Sequence, residues 1–84
     1  LQPRLQAQDA LVLAPCSSVH TAFMRYPIDV VFVDRHGRVL KVEQHLKPWR
    51  AAWCWGAQAA IELLAGQAQA HGIERGQMMD WSPA

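Results

Sequence analysis

Apolar residues in this chain recur with period two more clearly than with the 3.6 of a helix, in short runs separated by Pro, Gly and Ser. This punctuation predicts strands joined by turns. Leu11, Val12 and Leu13 form a brief run that Pro15 stops, because proline has no N–H to give to a ladder. A second extended run covers residues 19–24, and Pro27 then restricts Tyr26 to extended geometry ahead of a third.

The third run, residues 28–34, carries Val30 and Phe32 on one face and Val31 and Val33 on the other, since successive strand side chains alternate. Both faces are apolar. Such a strand belongs in the middle of a closed barrel or beneath a helix, and it is the best core candidate. The segment Asp-Arg-His-Gly-Arg at 34–38 supplies a short loop with a glycine for positive φ, so runs 28–34 and 39–46 are expected to pair antiparallel across it. In the 39–46 run Leu40, Val42 and Leu46 alternate with Lys41, Glu43 and His45, which predicts one wet face.

Residues 49–56 read as irregular and rich in tryptophan. Residues 57–64 suit helix or strand, because alanine and glutamate favour helix while the hairpin-rich context favours sheet. Residues 65–71, followed by Gly72 as a C-terminal cap, predict one short helix, and Gly76 turns the chain toward a last strand at 78–81. The expected architecture is mainly β (α+β): a small compact β-barrel-like sheet with one short helix near the C-terminus.

At 84 residues without a composition break, the chain reads as a single domain over 1–84. It opens on Leu1 rather than Met, so residues of the natural protein are expected upstream, and whether it is cytoplasmic or exported behind a removed leader stays open. Domains this small bury only a little over roughly 60% of the surface of the unfolded chain, which makes homo-oligomers an expected source of extra contacts. A hydrophobic share of 51% against 18% charged residues argues for a folded chain rather than a disordered one. Eight Lys and Arg against seven Asp and Glu leave a net charge of +1 with no basic stripe, which removes the electrostatic basis of nucleic-acid binding. The longest apolar stretch, 30–33 with Ile28 nearby, is far below the ~20 residues of a membrane span, so a soluble protein is expected.

Cys16 and Cys54 are too few for a disulfide framework and match no zinc spacing, so they read as partly buried free thiols. His20, His36, His45 and His71 never stand at spacings that aim two rings at one ion; no metal and no cofactor are expected. Asp29 is more informative, because a carboxylate in Pro-Ile-Asp-Val-Val-Phe must find donors to offset its desolvation. Arg25, Arg50, an indole N–H or backbone amides are the choices. It is read first as a polar anchor and second as a ligand-facing group. Trp49, Trp53 and Trp55 beside Arg50 form the densest aromatic patch, serving either the core or a recognition groove.

The segment PCSSVHTAFMRYPIDVVF at 15–32, with GRVL at 37–40, PWR at 48–50, AIELLAG at 60–66 and HGIERG at 71–76, resembles the bacterial and archaeal family called domain of unknown function 192. The likeness covers nearly the whole chain. It implies a small β-rich fold, a strand over 57–64 and no assigned biochemistry. Where the family carries glycine-aspartate after the GI turn, this chain has Gly76-Gln77. The ending AGQAQAHGIERGQMM is also similar to the helix-then-glycine-turn segment of small cradle-loop or double-psi β-barrels.

The reading favoured on these grounds is a noncatalytic binding or accessory module holding a peptide, glycan or partner protein on a patch of His20, Met24, Arg25, Asp29, Trp49, Arg50 and Trp53. The alternative is a small hydrolase or transferase using Asp29, His20 and Cys16. That chemistry needs the three groups to converge, yet an extended span from Cys16 to His20 sets their backbones ~13 Å apart, against the roughly 3 Å of a thiol-base contact.

Overall fold

The computed structural model describes residues 10–21 and 25–79. Strands β1 (Leu11–Leu13), β2 (Ser18–His20), β3 (Ile28–Val33), β4 (Val39–Leu46), β5 (Ala51–Trp53) and β6 (Ala59–Leu64) precede one short helix, α1 (Gln67–Ala70). They build a four-stranded sheet in the order β1-β6-β3-β4 and a two-stranded sheet of β2 and β5, with every pairing antiparallel. The mainly β class with a late helix holds, but the two sheets stay separate and no barrel closes among the described residues. No helix there is long and apolar enough to cross a membrane.

All six residues of β3 are buried, and the two faces of the strand feed two different cores. Val31 and Val33 pack with Val39, Ile61 and Leu63 beneath Ala68 of α1 and Ile73. Val30 and Phe32 pack with Ile28, Ala60 and Leu46 against Val19 and Ala52, the inward residues of β2 and β5. A helix on one side and a small sheet on the other therefore explain why this run is apolar on both faces. The same double cover hides period two in β6, which pairs with β3 along its whole length, from Ile28 opposite Leu64 to Val33 opposite Ala59. Tertiary pairing here overrides the helix preference of Ala, Glu and Leu.

The β3–β4 hairpin forms across the expected loop, with Asp34 as its clasp: the carboxylate accepts from His36 N at 2.8 Å and Arg38 N at 3.0 Å. Two register shifts interrupt the pairing. Leu40 is the extra residue between Phe32 opposite Lys41 and Val33 opposite Val39, and Gln44 with His45 together face Asp29. Each added residue turns the following side chains over. Leu40, Val42 and Leu46 therefore do not share a face as expected; Val42 packs on the helix-side core and Leu46 on the other.

Two further expectations change. Residues 49–56 contain strand β5, too short and alanine-rich to announce itself. The last strand reduces to an antiparallel bridge of Met78 with Arg38, residues 80–81 lying outside the described residues, as do 22–24 of the second run. Helix α1 ends as anticipated. Gly72, at φ 68°, lets its own N–H reach Gln69 O at 3.0 Å and Ile73 N–H reach Ala68 O at 2.9 Å, with Ala68 and Ile73 both buried. This is the paired 5→2 and 6→1 closure that a left-handed glycine permits.

Asp29 is fully buried between these parts. Its Oδ1 accepts from His45 N at 2.9 Å, and its Oδ2 accepts from Gly66 N at 3.0 Å and Ala68 N at 2.9 Å. His45 is the bulge residue, at φ 56°, whose N–H the ladder leaves over, while Gly66 and Ala68 open α1. Of the donors considered from sequence, backbone amides alone serve it.

Asp29→Ala is expected to lower stability by at least about 1–3 kcal/mol, the cost of one stranded buried donor, because three N–H groups lose their acceptor. Asp29→Asn should cost less, since its one carbonyl oxygen still serves Gly66 and Ala68. Chemical denaturation checks both; an alanine variant as stable as the parent would mean that the carboxylate is solvated. Asp34 gives a second test, because the Arg38 N–H, followed by that of His36, holds its carboxyl below the usual range against an opposing desolvation. A depressed folded pKa adds stability at neutral pH that is lost as pH falls through that pKa. The stability gap between the parent and Asp34→Ala should therefore be widest near neutral pH and close under acid, as urea melts over a pH series would record.

Candidate functional site: the outer face of the small sheet

The register of the small sheet sets Ser18 opposite Trp53, Val19 opposite Ala52 and His20 opposite Ala51. Val19 and Ala52 point into the core, so alternation sends Ser18, His20, Ala51 and Trp53 outward, and all four are exposed. Trp49 and Trp55 stand before and after β5. Their exposures, 63% for Trp49, 59% for Trp53 and 90% for Trp55, exclude a purely core role for the cluster. Two open concavities lie here: one of about 400 Å³ lined by His20, Trp49, Arg50, Ala51 and Trp53, the other of about 410 Å³ lined by Ser17, Ser18, Trp53, Cys54 and Trp55.

The loop carrying Trp49 is held by a residue that sequence reasoning passed over. Thr21 is fully buried; its backbone N–H reaches Arg50 O at 2.8 Å, and its carbonyl accepts from Trp49 N at 3.1 Å. Its Oγ1 accepts from Arg50 N at 2.8 Å and lies 2.7 Å from Lys47 O and 2.9 Å from Arg50 O, its single hydrogen serving one of these. The network fixes Trp49 at φ 63°, a conformation that a bulky side chain rarely adopts. Lys41 of β4 was also missed. Its Nζ donates to Trp53 O at 3.1 Å, lies 5.9 Å from the centroid of the Trp53 ring and pairs with Glu43 Oε2 at 3.4 Å.

His20, Trp49, Arg50 and Trp53 thus come together around one concavity. Arg50 Nη1 donates to Trp49 O at 3.3 Å, which ties the guanidinium to the loop. Arg25 is exposed but does not line that concavity, and Met24 lies outside the described residues. Asp29 does not join the patch. It sits with Val31 and Val33 on the helix side of β3, its oxygens taken by three amides, while the small sheet covers the opposite side. The Asp29, His20 and Cys16 constellation is divided by the same sheet: Cys16 packs on the core beneath β2 and β5, and its Sγ donates to Ser18 O at 3.0 Å. Both cysteines are free. Among the described residues no three His, Cys, Asp or Glu side chains gather as a metal site would require.

A family model described as "DUF192: Uncharacterized ACR" matches residues 2–81. The chain belongs to that family. This DUF192 chain also resembles a crystal structure of a protein of unknown function from Novosphingobium aromaticivorans DSM 12444, with a TM-score of 0.76 at 21% identity over 92% of its own length. It spans 60% of the length of that protein, and the likeness establishes a shared fold. No curated protein matches it. Gln77, at the position where the resemblance implies an aspartate, closes the turn from both sides, accepting from Glu74 N at 2.9 Å and donating to Gly72 O at 2.9 Å. A carboxylate could make only the first of these bonds.

With Trp81 replaced by phenylalanine, the three remaining indoles should emit at long wavelength and be quenched readily by acrylamide. Blue-shifted, shielded emission from all three in the monomer would return the loop to the core.

Proposed function

We propose that this DUF192 domain is a noncatalytic recognition module, with the outer face of β2 and β5 as the surface that holds a peptide, glycan or partner protein. The observation that carries the reading is the exposure of Trp49, Trp53 and Trp55, the first two standing on backbone that Thr21 and Lys41 brace. Burying such a ring contributes roughly 2 kcal/mol or more, so a small domain that leaves three outside forgoes much of its accessible stabilisation. Exposed apolar clusters of this kind mark interaction sites, and tryptophan and arginine dominate the residues that carry binding energy.

Preorganisation supports the same reading. Thr21 fixes the backbone of the Trp49–Arg50 loop and Lys41 braces Trp53, so little ordering entropy remains to be lost on binding. A hydrolase or transferase built on Asp29, His20 and Cys16 has less behind it, since these groups do not meet in one cleft and the carboxylate is already engaged by three amides. Arrays of peptides and glycans probed with the parent and with a Trp49→Ala, Trp53→Ala double variant test the proposal. Binders retained by the parent and lost by an equally stable double variant are expected; binders that the two proteins retain equally would place recognition elsewhere.

A further inference from the structure

We infer that the occupant of this surface is an acidic oligosaccharide whose carboxylate sits against Arg50, with the next sugar unit beside Ser17 and Ser18. The inference rests on the recognition reading above and narrows it to one ligand class. Trp53 stands between the two concavities and lines both, with Trp49 beyond it on one side and Trp55 on the other. The result is two adjacent sites of similar volume, each bounded by a pair of indoles. A linear glycan presents that pattern: each pyranose unit has a flat C–H face that packs on an aromatic ring and a rim of hydroxyls that seeks hydrogen bonds.

The geometry favours a glycan over an extended peptide. A peptide that adds to a sheet pairs with unused main-chain groups along an edge and needs pockets for alternate side chains. β2 and β5 each have an outer edge, but the indoles and Arg50 that line the concavities lie over the face of the sheet, above a floor kept low by Ala51, and not along those edges. Lys41 Nζ lies over the Trp53 ring, 5.9 Å from its centroid, and braces an indole that is still 59% exposed.

Charge then separates the two sites. The first holds the Arg50 guanidinium and the His20 imidazole and has no carboxylate among its described lining residues. The second offers the Ser17 and Ser18 hydroxyls and no charged side chain. Lys41, which donates to Trp53 O, has its charge paired with Glu43 of the same strand. A guanidinium binds a carboxylate through two parallel hydrogen bonds, so a uronic-acid unit fits the first site and a hydroxyl-rich unit the second.

The test uses the full chain and three pentasaccharide probes: oligogalacturonate, its methyl ester and neutral cello-oligosaccharide. Binding is followed by tryptophan fluorescence and calorimetry. Oligogalacturonate should bind best, with the ester and the neutral chain weaker by about tenfold or more, the scale of one charge-assisted hydrogen bond. Arg50→Gln should bring the acid down to the level of its ester, and Trp53→Ala should abolish binding of all three while the thermal melt stays that of the parent. Equal affinity for acid and ester, or an Arg50→Gln variant that still prefers the acid, would overturn the inference. If array peptides bind through the tryptophans and none of the glycans does, the ligand class is wrong and the recognition surface survives. If neither class engages the tryptophans, both readings fall.

Discussion

The carboxylate of Asp29 is the point at which three separate parts of the chain are tied together, and most of the architecture depends on that junction. From the second position of the most buried strand it takes the spare N–H of the bulge at His45 and two N–H groups at the start of α1. Burying a carboxylate is costly unless its oxygens find donors, and here both do. Magnitudes separate its role from that of the core. Val30, Val31, Phe32 and Val33 each contribute about 1.5–3 kcal/mol by burial, which is enough to drive collapse. The three amide bonds add a smaller net amount and decide instead where β4 kinks and where the helix begins.

Those placements carry through to the opposite side. The bulge at His45 turns Leu46 over into the core shared with Val19 and Ala52, beneath the small sheet. The following chain, Lys47 to Arg50, is then captured by Thr21, which returns it as β5 alongside β2. The buried apolar residues gather under α1 and along β3, while Trp49, Trp53 and Trp55 stand exposed on the far side of the small sheet.

How much of this was legible in the sequence follows from the range of the interactions. The doubly buried strand at 28–33, the hairpin around Asp34 and the glycine closure at Gly72 are local, and residues a few positions apart determine them. That Asp29 must be buried and satisfied was also readable, from one acid in an apolar run. Its partners were not, since they are backbone amides 16, 37 and 39 residues away that carry no side-chain signature. The exchange of faces in β4 was hidden for the same reason, because a bulge fixed by a distant carboxylate breaks period two without marking the sequence. At the candidate site the tryptophans and Arg50 stood out by residue type, while Thr21, whose contacts lie 26 and 29 residues along the chain, did not.

Amide hydrogen exchange tests the central claim most directly, since it reads the three tethered N–H groups one by one. The His45, Gly66 and Ala68 amides should exchange only through global unfolding, at the same slow limit as the β3 amides, although His45 sits at a bulge and the other two open a four-residue helix. Local exchange of these three, as fast as that of an exposed loop amide such as Trp55, would contradict the account and leave the fold without the junction on which it is built.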